Sequence, residues 1–235
     1  MLASGKDDQA VVILIDNSET TINGDFFPDR LDAQKIAAER LSHFIFSQSP
    51  KSQIAIGSLA KDSFGIIRSL TSNFYKIEDT IAKIERGGPA QLVNVIRSSF
   101  LTLHYRHDDI KIKRIVVFIC SEHDMTTELI SSKLAQAANK EDVSIDIIAF
   151  GDDVNCTDIL QEFTQKLHNP SFYVESTLSS TILSDVVLSS PIITRNEEQP
   201  DVNYENDPEL ALTLRLSMEQ DEEDPEMLAA ILASL

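Results

Sequence analysis

Cysteine is scarce in this 235-residue chain: Cys120 and Cys156 are the only two, too few for a disulfide framework. Long apolar runs are missing as well. No stretch approaches the roughly 18 consecutive apolar residues of a membrane span, and the opening residues 1–8 hold no apolar signal-peptide core. The expectation is a reducing setting, cytoplasm and nucleus, with no membrane partner. Basic residues are the third shortage. Twenty Lys and Arg face 38 Asp and Glu, for a net charge of −18. A phosphate backbone demands clustered Lys and Arg, so nucleic acid is excluded as a partner. Constellations that carry chemistry are lacking too. His43, His104, His107, His123 and His168 show no metal-ligand spacing, and Gly87-Gly88 is not followed by the Gly-Lys-Ser/Thr of a phosphate loop. Cys120 lies near His123 but ends an apolar strand, where a thiol is ordinarily inert packing. Neither enzyme activity nor a cofactor is expected.

What is present is a large apolar fraction, 42%, arranged as alternating strand-like and helix-like segments. Residues 10–15 form an unbroken apolar run ending at Asp16, the pattern of a strand buried on both faces of a parallel sheet. Residues 30–47 place Leu31, Ile36, Ala37, Leu41, Phe44 and Ile45 at helical spacing. Segments 52–59 and 64–70 read as strands joined by a hairpin turn at 60–63. Helices follow at about 73–85 and 91–106, a buried strand at 114–120 and a helix at about 127–140. A strand at 143–150, a helix at about 154–168, a short strand at 171–175 and a helix at about 178–188 complete the body. Such alternation predicts a doubly wound α/β fold, a mostly parallel sheet with helices on both faces. The pattern stops after Ser189-Ser190-Pro191.

The charge is unevenly placed. Residues 195–235 hold twelve acidic side chains against Arg195 and Arg215, contributing −10 of the total. Residues 194–206 have no apolar period and read as a flexible linker. A repeat follows: Asp207-Pro208-Glu209-Leu210 recurs as Asp224-Pro225-Glu226-Met227, and Ser217 as Ser234. Asp caps a helix, Pro suits its first position, and Glu favours the positive end of its dipole. At helical spacing Leu210, Thr213, Leu214 and Ser217 share one arc, as do Met227, Ala230, Ile231 and Ser234. Each unit is thus a narrow apolar stripe ending in a hydroxyl and edged with carboxylates. It fits a shallow apolar patch with a basic surround, on a partner or on the body itself. Leu212 and Leu216 make the first helix apolar on its far side too.

These units resemble the ubiquitin-interacting motif: an acidic run, a large apolar residue, Ala three positions on, and Ser beyond. The second unit, at 221–235, matches with Asp221-Glu222-Glu223-Asp224, Met227, Ala230 and Ser234, but the distal acidic residue is missing after Leu235. The first, at 207–220, has Thr213 where the motif has Ala; this bulkier β-branched residue retunes the contact. The resemblance implies that Glu209, Leu210, Thr213, Leu214, Ser217, Glu226, Met227, Ala230, Ile231 and Ser234 bind ubiquitin.

Residues 1–193 resemble the von Willebrand A domain, and within it the polyubiquitin-receptor subunits of the proteasome regulatory particle. The likeness is carried by Ile15-Asp16-Asn17-Ser18-Glu19, Asn23-Gly24-Asp25-Phe26, Pro28, Arg30-Leu31, Ala33-Gln34, residues 144–151, Ser189-Ser190-Pro191-Ile192 and the tail. It implies an adaptor whose body docks on regulatory-particle subunits while its tail captures polyubiquitin chains or the ubiquitin-like domains of shuttle receptors. Many von Willebrand A domains bind a divalent cation through Asp-x-Ser-x-Ser plus a later Thr and Asp. Here Asp16 and Ser18 match, Thr20 stands third, Asp124 is available, and the loop after Pro89 offers Ala90, Gln91 and Asn94 without a Thr. The leading expectation is no metal, with Asp16 and Ser18 bonding loop amides and Asp16 serving proteasome docking by implication. The alternative is a Mg²⁺-dependent interaction domain outside the proteasome.

Overall fold

Strand β1 (Gln9–Ile15) occupies the middle of the sheet, and its sequence explains why. An apolar run with no polar face suits a strand covered by helices on both sides, and Ala10 through Ile15 are fully buried. The computed structural model describes residues 7–60, 65–176 and 182–194. The sheet also contains β2 (Gln53–Ser58), β3 (Gly65–Thr71), β4 (Ile112–Ile119), β5 (Ser144–Phe150) and β6 (Tyr173–Ser176). Their order is β3-β2-β1-β4-β5-β6. Every neighbouring pair is parallel except β2 and β3, which run antiparallel as the hairpin reading requires. Turn residues 61–64 lie outside the described residues, as do 177–181 at the start of the last predicted helix.

Helices cover both faces, as a doubly wound α/β fold demands. α1 (Arg30–Gln48), α2 (Phe74–Ala82), α6 (Leu183–Ser189) and α7 (Pro191–Thr194) lie on one face; α3 (Leu92–His104), α4 (Glu128–Glu141) and α5 (Thr157–Gln165) lie on the other. The strand period of two divides β1 between them. Val11, Ile13 and Ile15 enter the core beneath α1 and α2, while Ala10, Val12 and Leu14 enter the core beneath α3 and α4. Helix starts are set by side chains that accept from orphan amides: Asp29 from Asp32, Asn73 from Lys76, and Thr127 from Ile130.

Three details depart from expectation. Ile36 is 40% exposed; at 100° per residue it sits about 140° round from Leu31, and the buried stripe of α1 runs through Gln34 instead. Helix α5 starts only at Thr157, because Cys156 before it adopts a left-handed φ of 51°. The ordered body also continues past Pro191: α7 is a single turn, too short to show a period, yet its Ile192 is buried.

At the amino ends of β4 and β5 a buried ion pair ties α7 down. Arg114 donates to Asp146 at 2.6 Å and to the Ile192 carbonyl at 2.7 Å, and the Phe172 amide also donates to Asp146. Removing one partner of a buried pair strands the other charge in a low dielectric. Arg114→Met is expected to lower unfolding free energy by about 3–5 kcal/mol in urea titrations. Arg40→Met, which breaks the exposed pair with Asp185, costs under about 1 kcal/mol.

Candidate functional site

From β1 the chain moves outward to β2, and it returns to pair β4 on the other flank of β1. The loops leaving these two strands therefore lead to helices on opposite faces, α1 and α4. A crevice opens at the carboxyl ends of strands wherever the order reverses in this way. Asp16 follows β1 directly and lies at this point, fully buried. One carboxylate oxygen accepts from the Ser18 amide at 2.9 Å. The other accepts from the Cys120 amide at 3.0 Å and the Ser121 hydroxyl at 2.6 Å, across the gap to β4. Gln34 of α1 brackets the same residue, accepting from the Asp16 amide at 2.9 Å and donating to its carbonyl at 3.0 Å. Neighbouring Asn17 binds the next loops: its side chain accepts from Ala60 and donates to the Glu85 carbonyl, and its own carbonyl accepts from Gly87.

A second buried centre lies beside it. Arg30, 1% exposed, donates to both oxygens of Asp25 at 2.8 and 2.7 Å, to Asp153 at 2.5 Å and to the Cys120 carbonyl at 3.1 Å. Burial alone would disfavour its charge, but the two carboxylates outweigh burial and hold the guanidinium more firmly protonated than usual. The hydrogen bond from Arg30 in turn holds the Asp25 carboxyl below the usual carboxylate range. Space for Arg30 depends on Gly151, whose φ is 77°; a Cβ there would lie 2.6 Å from the guanidinium carbon. Nothing in composition or periodicity singled out Arg30, Gln34, Asn17 or Gly151 for these tasks. The one local signal is an Asp five residues before an Arg at a helix start.

The structure brings Asp16, Ser18 and Thr20 together at the crevice, with Ser18 Oγ and Thr20 Oγ1 2.9 Å apart and hydrogen bonded to each other. Asp124 is turned elsewhere: its carboxylate accepts from the Val93 amide at the start of α3, 3.0 Å away. Ala90, with no hydroxyl, lines the crevice. No cluster of three or more His, Cys, Asp or Glu suited to an ion occurs among the described residues. This donor set does not fit a divalent cation, because its carboxylates are committed to amides and hydroxyls of the chain. Nor does the crevice hold a reactive thiol. Burial, reinforced by the charge of Asp16, pushes the Cys120 thiol far above its ordinary range, while His123 Nδ1 accepts from the Met125 amide.

Asp16 is also too deep to touch a partner, so any part it plays in docking runs through the loops it holds. Those loops, after β1 and β4, together with the loop after β5 that Arg30 holds, border a cleft of about 560 Å³ at the edge, lined in part by Glu19, Glu122 and Asp152. The ten tail positions named for ubiquitin, Glu209, Leu210, Thr213, Leu214, Ser217, Glu226, Met227, Ala230, Ile231 and Ser234, lie outside the described residues.

Two measurements test this geometry. Gly151→Ala is expected to cost about 1–3 kcal/mol through its left-handed backbone and more through collision with Arg30. In an Arg30→Ala background the collision disappears, so the two changes should be clearly non-additive in a double-mutant cycle. Burial of His123 lowers its pKa from 6.5. The unfolded chain therefore takes up a proton first as pH falls, so stability is level above about 6.5 and declines below it, by at most about 1.4 kcal/mol per pH unit. His123→Gln should flatten that limb of a thermal-unfolding profile.

Comparison with known proteins places this framework. Residues 11–124 match the von Willebrand factor type A domain. The chain is 30% identical to the 26S proteasome regulatory subunit RPN10 of Saccharomyces cerevisiae over 92% of its own length and 89% of the yeast protein's. It is 31% identical to the 26S proteasome regulatory subunit rpn10 of Schizosaccharomyces pombe, over 94% and 93%. The crystal structure of the SpRpn10 VWA domain superposes with a TM-score of 0.72 at 30% identity, covering 78% of this chain and 96% of that one. The chain belongs to the RPN10 family of 26S proteasome regulatory subunits, built on a von Willebrand factor type A domain.

Proposed function

We propose that this protein is a non-catalytic adaptor of the proteasome regulatory particle: body 1–193 docks, linker 194–206 gives reach, and motifs 207–220 and 221–235 bind polyubiquitin. The observation that carries this reading is the extent of the likeness. The match to yeast RPN10 takes in 92% of the chain, more than the 78% matched by the domain structure alone. It therefore runs on into the acidic segment holding the two Asp-Pro-Glu repeats. Docking uses the crevice edge, with Asp16 as a positioning residue. The tail also accepts ubiquitin-like domains of shuttle receptors, and the protein works where proteasomes do, in cytoplasm and nucleus.

Two weak sites on one chain favour a polymeric ligand. Once the first is engaged, the second meets linked ubiquitin at high effective concentration, so chains are preferred over single ubiquitin without any further contact. The experiment is a titration of purified tetra-ubiquitin against the full chain and against a 1–193 truncation. Binding by the full chain alone is expected, with Met227→Asp weakening it. Equal behaviour of the two proteins would remove the receptor assignment.

A further inference from the structure

We propose that the docking contact itself is an apolar knob, Ile22 and Phe27, set in an acidic rim, and that it fits an apolar pocket ringed by Lys and Arg on a protein partner. This deepens the docking half of the function above and rests on it. The knob stands on the loop between β1 and α1, which is closed by the Arg30 amide donating to the Asn23 carbonyl at 3.0 Å. Within this loop two adjacent phenylalanines go opposite ways. Phe26 is 1% exposed and meets Phe150 edge-on at 5.1 Å, whereas Phe27 is 90% exposed and Ile22 72%. Single exposed apolar residues are ordinary; here two stand on one short loop whose Glu19 and Thr20 line the cleft.

The loop is held from beneath before any partner arrives. Asp25 accepts from the Phe26 amide at 3.0 Å and from two nitrogens of buried Arg30. An anchor presented in this way loses little conformational freedom on binding. Arg30 also grips Asp153, which ties the knob loop to the β5–α5 loop and brings Asp152 into the same edge.

Charge identifies the occupant. Glu19, Glu122 and Asp152 line the neighbouring cleft and are exposed. Among the described residues none of the three forms an ion pair, whereas Asp29 and Asp153 pair with Arg86 and Arg30. Opposed potentials across an interface favour association, and like charges suppress it. A second copy of this chain brings the same acidic rim and is disfavoured. A protein surface with a Lys- and Arg-rimmed apolar pocket satisfies both the knob and the rim.

The test uses the full-length chain and purified proteasome regulatory particles stripped of this subunit. Ile22→Ser/Phe27→Ser is expected to weaken binding at least tenfold with an unchanged melting temperature. Glu19→Lys/Glu122→Lys/Asp152→Lys should slow association at low salt and abolish its salt dependence. Leu101→Ser/Tyr105→Ser, which alters exposed apolar residues on α3 and just after it, should stay within twofold of the parent. If the parent binds and the Ile22→Ser/Phe27→Ser variant binds equally, the contact is wrong while docking stands. A parent that ignores the particles removes the docking reading as well. Self-association of the parent in sedimentation, lost in the Phe27→Ser variant, would assign the knob to a second copy and overturn the proposal.

Discussion

The carboxylate of Asp16 is a charge taken out of water at the one place where the sheet changes direction. Such a group is tolerated only when donors replace its hydration, and here the amide of Ser18, the amide of Cys120 and the hydroxyl of Ser121 do so. Its two oxygens answer to different strands. The turn after β1 and the turn after β4 are thereby fixed to each other, although the helices they lead into lie on opposite faces of the sheet. In this chain hydrogen bonds join the two turns, and Asp124 accepts from the Val93 amide at the start of α3.

Arg30 extends the same arrangement sideways. A guanidinium offers several donors in a rigid plane, and this one spends them on the loops after β1, β4 and β5. Asn17 does the corresponding work toward the loops beside β2 and α3. The edge thus consists of separate loops with a shared polar framework below the surface. Its exposed face is left for apolar and acidic side chains. Loops carry recognition in most folds because they run over the surface; here their freedom has been removed by buried contacts instead of by length.

How much of this was legible beforehand depended on the range of the signal. Residues 10–15 announce a central strand because burial on two faces leaves a mark in six adjacent letters. The hairpin partners and the α/β alternation are equally local. Gln34 and Ile36 show where periodicity misleads: an apolar residue sits outside and a polar one inside, since a glutamine whose amide meets a backbone N–H and C=O is as well satisfied in the core as in water. Asp16, Ser18, Thr20 and Asp124 were recognisable as a motif, and Asp16 does accept from loop amides as expected, but which loops it would join was not legible. Whether a carboxylate faces an ion, a partner or an amide depends on residues a hundred positions away, such as Cys120 and Ser121. The burial of Phe26 beside an exposed Phe27 likewise involves a distant residue, Phe150 of β5, against which Phe26 packs.

The division of β1 between two cores has a bearing on how the body fails. Each face of the sheet is closed by its own set of helices, but both sets rest on alternate side chains of one seven-residue segment. Neither half can melt while the other survives, because losing either removes the support of the shared strand. Unfolding is therefore expected to be all-or-none, with no half-folded species in which the crevice edge is lost and the remainder persists. For the docking proposed above this amounts to a built-in quality check: a body that is folded at all presents the crevice edge intact.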